Sequence, residues 1–279
     1  MRPDVLGVIG LGAVGGSLAW QARRAGIDQV LGYGGRPADA AAAVRTGALT
    51  EAATSARTVF ARADLVVLAT SPLTTVATLR RYAPRLRMRG VWCTDLVGAK
   101  TPVAGVVSDS DLTSRFAGSH PQVDLSGEGF QDAHPARFAG ATVYVTPFGA
   151  CPDAAREVAD FWSTVLDAHP VIIEARRHDD LLAWTSHLPR TVAAAFAAAA
   201  ANSGPRGVTY EPVIGAMGTP LQRPRVWREV LLTNRVPILE ALERYEDTLG
   251  ELRRALSDGN AEALDAWLAR AAQWQRRST

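Results

Sequence analysis

The chain has 279 residues, 47% of them hydrophobic, with 30 basic and 28 acidic side chains and a formal net charge of +2. This supports one large or two smaller domains with a sizeable core. The near-balanced charge argues against nucleic acid or an anionic membrane surface as partner. Two widely separated cysteines, Cys93 and Cys151, argue against a disulfide framework, and the start Met1-Arg2-Pro3-Asp4 lacks the apolar stretch of a signal peptide. A cytoplasmic protein outside the membrane is therefore expected, with Cys93 buried and Cys151 near a domain junction.

In chain order, the apolar run at residues 5–9 predicts a strand, and Gly10-Leu11-Gly12-Ala13-Val14-Gly15 leads from it into a helix. Residues 29–33 read as a second strand and 37–45 as a helix stopped by Gly47. Residues 65–70 read as a buried strand closed by Ser71-Pro72, followed by a helix over 74–82 and a strand over 90–95. A late strand covers 141–146. Strand and helix alternate, which predicts an α/β fold with a doubly wound parallel sheet.

From about Pro152 the pattern turns helical. Residues 153–166 place Ala155, Val158, Phe161, Trp162 and Val165 on one face. After a short strand at 171–173, long helices are expected over 178–202 (interrupted at Pro189), 226–256 and 260–275, with a turn cluster at 203–207. The expected division is a dinucleotide-binding domain over 1–148 and a helical domain over 149–279. The alanine run at 193–201 has high helix propensity by itself. Close packing, as at a homodimer interface, is the favoured reading, because an alanine surface in water gains little.

Three glycines at this spacing suit a dinucleotide. Gly10 permits the tight turn, Gly12 the approach of backbone to a pyrophosphate, and Gly15 close helix–strand packing. The helix start offers unpaired amides to the phosphates, so Leu11, Ala13 and Val14 join the cofactor-binding positions. Thr70, Ser71 and Asp95, at strand ends, are counted with them. The second strand ends Tyr33-Gly34-Gly35-Arg36 and lacks the acidic residue that accepts a ribose 2′-hydroxyl. With Arg36 available to a 2′-phosphate, NADP is favoured over NAD; the other reading of Arg36 is a solvated loop residue.

The glycine turn, Asp95-Leu96-Val97-Gly98-Ala99-Lys100, Gly118-Ser119-His120-Pro121, His178-Asp179, Ser186-His187-Leu188-Pro189, Trp227-Arg228-Glu229 and Asn234-Arg235 stand in one order along nearly the whole chain. In this the chain resembles the prephenate/arogenate dehydrogenase family. The resemblance implies a Rossmann domain, an all-helical dimerisation domain and an active site in the cleft between them. It implies oxidative decarboxylation of a prephenate-like cyclohexadiene in aromatic amino-acid biosynthesis. His120 matches the catalytic histidine, and an imidazole suits general-base work near neutrality. Ser119 is expected to help at the substrate. His187 either lines the substrate pocket or is a satisfied core histidine. His178 and Asp179 either meet substrate or stabilise a helix start. No metal-ligand spacing is present.

Departures fall on the substrate side. Gly98 stands where the family carries a serine that holds the carbon-4 hydroxyl and the catalytic histidine. Arg190 replaces a second histidine and is a candidate for a substrate carboxylate, its other reading being an exposed helix charge. A family arginine has no clean counterpart, with Arg223 or Arg225 nearby. These changes allow an altered substrate such as 4-amino-4-deoxyprephenate in a specialised pathway, or a degenerate nucleotide-binding homologue. Hydroxy-acid and imine reductases of similar layout place a lysine in the second domain; here the sole lysine, Lys100, lies in the first.

Overall fold

The computed structural model describes residues 1–34, 36–123, 127–149, 153–203 and 224–278. Gly35, Cys151, Arg223 and most of the 203–207 turn cluster lie outside the described residues. Strands β1 (Val5–Ile9), β2 (Gln29–Tyr33), β3 (Glu51–Ala52), β4 (Leu65–Leu68) and β5 (Trp92–Asp95) form a wholly parallel sheet in the order β3-β2-β1-β4-β5. The order reverses between β1 and β4, and ligands of such sheets bind at the carboxyl ends of the strands there.

The strands read as apolar runs because both faces are covered. On one face Leu6, Val8, Leu65 and Val67 pack with Leu18, Ala19 and Ala22 of α1 (Ala13–Arg24). On the other, Ile9, Val66 and Leu68 cluster with side chains of α3 (Ala56–Arg62), α4 (Pro72–Arg89) and α5 (Thr101–Asp109). Helix α2 (Pro37–Arg45) follows β2 as expected. Helix α4 runs beyond the expected end at residue 82, through Pro84, to a left-handed Gly90 cap at φ 62°. Burial of Ala83 and Leu86 beneath it holds this extension of about two turns in place.

A second, three-stranded sheet contains β6 (Ala117–Pro121), β7 (Thr142–Pro147) and β8 (His169–Ile172). The late strand expected at 141–146 exists, but it pairs antiparallel with β6 and lies outside the parallel sheet. The segment carrying His120, which none of the expected strands or helices covered, is β6 itself, with His120 opposite Tyr144. Glycine, serine and proline give it little intrinsic strand preference, so the ladder to β7 decides its conformation.

Helix α6 (Asp153–Thr164) buries Ala155, Val158, Phe161 and Trp162, the face expected from its spacing. Those side chains join the core of the first sheet and of β7. This packing draws residues after 148 into the first of two compact units, which comprises Met1–Leu182 with Gln222–Asn234. The boundary expected at 148 therefore falls inside that unit. It also holds α7 (Ala175–Leu182) and α9 (Pro224–Thr233).

The described part of the second unit is helical. It contains a π-helical turn at Ala183–His187, α8 (Leu188–Ser203), α10 (Arg235–Ser257) and α11 (Ala261–Ser278). The long helix expected over 178–202 is interrupted by the π turn. Pro189 does not break it but sits in the first turn of α8, where no amide donor is required. The helix expected over 226–256 divides at Asn234, with Pro237 in the first turn of α10. The alanine run is largely exposed in the single chain, Phe196 at 42%. Among the described residues no helix is long and apolar enough to cross a membrane.

Candidate active site

The glycine turn is built by steric necessity. Gly10 lies at φ +104°, and its amide donates to the Tyr33 carbonyl over 2.8 Å. A Cβ on Gly10 would stand 2.3 Å from the Ala69 oxygen, and one on Gly15 would stand 1.9 Å from the Gly10 oxygen. A Cβ on Gly12 would meet nothing within 4 Å. Gly12 also caps α1 without a side-chain hydrogen bond, so the helix start faces a cradle that a side chain would fill. Leu11 and Ala13 are buried and Val14 packs on the core, so their side chains are taken up by the interior. Thr70 and Ser71 follow β4 beside Gly10, tied by hydroxyl bonds to Thr75 at 2.8 Å and Thr74 at 3.0 Å. The residues present fit a dinucleotide.

Arg36 follows β2 and forms a two-point pair with Asp39, Nε to Oδ2 at 2.6 Å and Nη2 to Oδ1 at 3.3 Å. Asp39 also accepts the Phe130 amide at 2.9 Å. A carboxylate thus stands beside Arg36, three residues on rather than at the strand end. The Arg36 side chain remains 56% exposed.

The three residues His120, His178 and Asp179 come together within the first unit. His120 Nδ1 lies 3.1 Å from His178 Nε2, and His178 Nδ1 lies 3.1 Å from Asp179 Oδ1. Asp179 Oδ1 also accepts the Lys100 amide at 2.7 Å, and Oδ2 accepts the Thr101 amide at 2.8 Å and hydroxyl at 2.6 Å. Asn234 donates to the Asp179 carbonyl at 3.0 Å. Burial pushes the Asp179 carboxyl up. The bonds from His178, Thr101 and the two amides outweigh burial and hold it below the usual carboxylate range. Burial holds His178 below the usual histidine range, against the pull of Asp179.

His178 faces Asp179, His120 and Tyr144, with Lys100 and Asp95 acting at longer range. Its depressed folded-state value has a stability consequence. The unfolded chain binds this proton below about pH 6.5, before the folded protein does. The contribution is whole above that pH and is lost as pH falls from there towards the folded value. Urea midpoints measured across this window are expected to fall with pH, and His178→Gln is expected to flatten that part of the slope.

Behind β6 lies a second buried set. Lys100 Nζ donates to Asp95 Oδ1 and to the Ser119 carbonyl, each at 2.6 Å, and both side chains are wholly buried. Burial pulls Lys100 down and pushes Asp95 up, each against the attraction of its partner. Asp95, expected at the cofactor, is thus enclosed and committed to Lys100 and the Val97 amide. Ser119, expected at the substrate, turns into the core, where its hydroxyl meets Thr94 at 2.7 Å and the Trp162 indole at 2.8 Å. Alternation along β6 sends Ser119 and His120 to opposite faces. Replacing Lys100 with methionine leaves Asp95 buried and uncompensated. An expected loss of about 3–5 kcal/mol is checked by urea unfolding.

In the second unit His187 is buried in the π turn, and Arg190 Nη1 donates to the Ser186 hydroxyl at 2.8 Å, one turn back. Sequence reasoning passed over Lys100, Thr101 and Asn234 as parts of the site. Lys100 and Asn234 stood in the motifs that carry the resemblance but were given no role there, and Thr101 carried no signal of its own.

A family model described as the prephenate dehydrogenase nucleotide-binding domain matches residues 18–171, and one described as the prephenate dehydrogenase dimerization domain matches residues 174–270. The chain belongs to the prephenate dehydrogenase family. It is a nicotinamide-nucleotide-dependent oxidoreductase with a Rossmann domain and a helical dimerisation domain. Cyclohexadienyl dehydrogenase of Zymomonas mobilis is 25% identical over 211 residues, covering 72% of this chain and 71% of that protein. Prephenate dehydrogenase of Bacillus subtilis is 25% identical over 269 residues, covering 94% and 72%. The crystal structure of prephenate dehydrogenase from Aquifex aeolicus superposes with a TM-score of 0.86 at 25% identity, covering all of both chains. The glycine turn precedes the matched region, so its assignment rests on the sterics above.

Proposed function

We propose that this prephenate dehydrogenase family member catalyses NADP-dependent oxidative decarboxylation of a prephenate-like cyclohexadiene, with His120 as general base. The observation that carries the reading is the imidazole of His120 on β6, backed by the buried His178 and Asp179. A bound nicotinamide supplies the hydride acceptor. His120 takes the proton of the carbon-4 substituent; carbon 4 loses its hydrogen as hydride, the ring carboxylate leaves as carbon dioxide, and the electron pair of that broken carbon–carbon bond enters the ring. The glycine cradle holds the pyrophosphate against the start of α1. His187 and Arg190, and Arg223 from outside the described residues, are assigned to the substrate. The test is turnover of prephenate and arogenate with each nicotinamide cofactor. Nucleotide binding without turnover of any cyclohexadiene would leave the degenerate homologue instead.

A second reading draws on Gly98. A Cβ there would approach only Leu182 Cδ1 at 3.8 Å and His120 Nε2 at 4.0 Å. The room left beside the base nitrogen suits a carbon-4 amine as well as a hydroxyl. Including 4-amino-4-deoxyprephenate among the substrates separates the two. Prephenate turnover at ordinary enzyme rates of about 1–1000 per second rejects the amino preference.

Cofactor preference rests on Arg36. Arg36→Ala is expected to weaken NADP binding roughly tenfold, about 1.4 kcal/mol, and to leave NAD binding unchanged. Titration of both nucleotides checks this, and equal losses for the two would remove the 2′-phosphate role. A homodimer is assigned to the helical unit, where Phe196, Val236, Leu239 and Leu256 are exposed in the single chain. Light scattering measures it.

A further inference from the structure

We propose that His178 and Asp179 are positioning residues that fix the tautomer of His120 and keep its basic lone pair on Nε2, an inference that rests on the reading of His120 as the base.

The chain of bonds starts at Asp179. Its two oxygens face four donors: the Lys100 amide, the Thr101 amide, the Thr101 hydroxyl and His178 Nδ1. A carboxylate surrounded in this way is ionised and only accepts. His178 Nδ1 must therefore carry a hydrogen. His178 is wholly buried and neutral, so its Nε2 holds the lone pair. That lone pair stands 3.1 Å from His120 Nδ1, which must donate to it. A neutral imidazole has one N–H, so the basic nitrogen of His120 is Nε2. This is the nitrogen directed at residue 98, 4.0 Å from the Cβ position there.

The surroundings hold this chain of bonds in register. The His120 and His178 rings meet at 85° and the Tyr144 ring packs on His178 at 70°. Asn234 anchors the backbone of Asp179. The Gln122 amide lies 3.2 Å from His120 Nδ1. With Nδ1 as donor, the amide turns its oxygen towards the ring, an end-for-end rotation of the same shape. Glycine at 98 carries no hydroxyl, and the bond from His178 reaches His120 at Nδ1.

During the reaction the proton leaves the carbon-4 substituent for His120 Nε2, and the bonding pair stays on the substituent atom. The imidazolium formed keeps its Nδ1–H on His178, and Asp179 stabilises the charge without taking a proton.

The test combines two readouts. In uniformly 15N-labelled free protein, long-range proton–nitrogen correlation spectra of the histidine rings report which nitrogen is protonated, with His120 assigned from the His120→Asn spectrum. The expected result is a protonated Nδ1 and a bare Nε2. His178→Phe keeps a ring but removes the acceptor. It is expected to mix the His120 tautomers and lower kcat roughly 10- to 100-fold with KM little changed. His178→Gln, whose amide oxygen can accept the Nδ1–H, is expected to recover most of that loss. A wild-type spectrum with the proton on Nε2, or a folded His178→Phe enzyme with wild-type kcat, overturns the proposal. If His178→Phe does not fold, the wild-type spectrum decides alone. If the wild-type protein turns over no cyclohexadiene, the reading of the function fails, while the spectrum still decides the positioning.

Discussion

Replacing His120 with asparagine is expected to lower kcat by about 10²–10⁴, the usual contribution of a positioned general base. Asparagine keeps a polar side chain on β6 but titrates nowhere near neutrality. Its neighbours on the ladder, Tyr144 opposite and Pro121 next in line, are untouched, so the fold should survive. Nucleotide affinity should also be unchanged, since the glycine turn lies on a different sheet. The check is steady-state turnover beside nucleotide titration. A loss below tenfold, with nucleotide binding intact, would take His120 out of the proton path.

The second large effect separates two glycines of one turn. Gly15→Ala forces a methyl group to within 1.9 Å of the Gly10 carbonyl oxygen, a backbone atom that cannot rotate away. Overpacking of this kind costs about 1–3 kcal/mol, and relieving it opens the turn, so nucleotide binding should disappear as well. Gly12→Ala meets no atom within 4 Å, and its backbone is extended at φ −76° and ψ −166°. Stability should stay within about 0.5 kcal/mol, while the methyl group occupies the cradle and nucleotide affinity drops. Urea unfolding and nucleotide titration of both variants test this. A Gly12→Ala protein that binds nucleotide like the wild type would show that the pyrophosphate lies elsewhere.

Much of the site was legible in particular residues. Gly10, Gly12 and Gly15 announced a turn whose sterics the structure reproduces glycine by glycine. The spacing of Val158, Phe161 and Trp162 announced a buried helix face. Arg36 was recognised as the cation after β2, but Asp39 was not recognised as its partner, because a helical i,i+3 pair is one of several geometries that such a spacing allows. Ser119 was misassigned for a related reason. Its neighbour His120 carries the motif, but only strand geometry shows that the two side chains diverge.

Local order was set by the amino-acid sequence alone: apolar runs for strands, helical spacing for helices, glycines where a Cβ cannot fit. These signals are complete within a few residues, because the clashes and the face that cause them are local. The tertiary structure alone decided the chemistry around His120. His178 is 58 residues from it, Asp179 is 79 residues from Lys100, and Trp162 is 43 residues from Ser119. Such bonds depend on where separate strands and helices come to rest, and the same residues at the same spacings could have met other partners in a different packing.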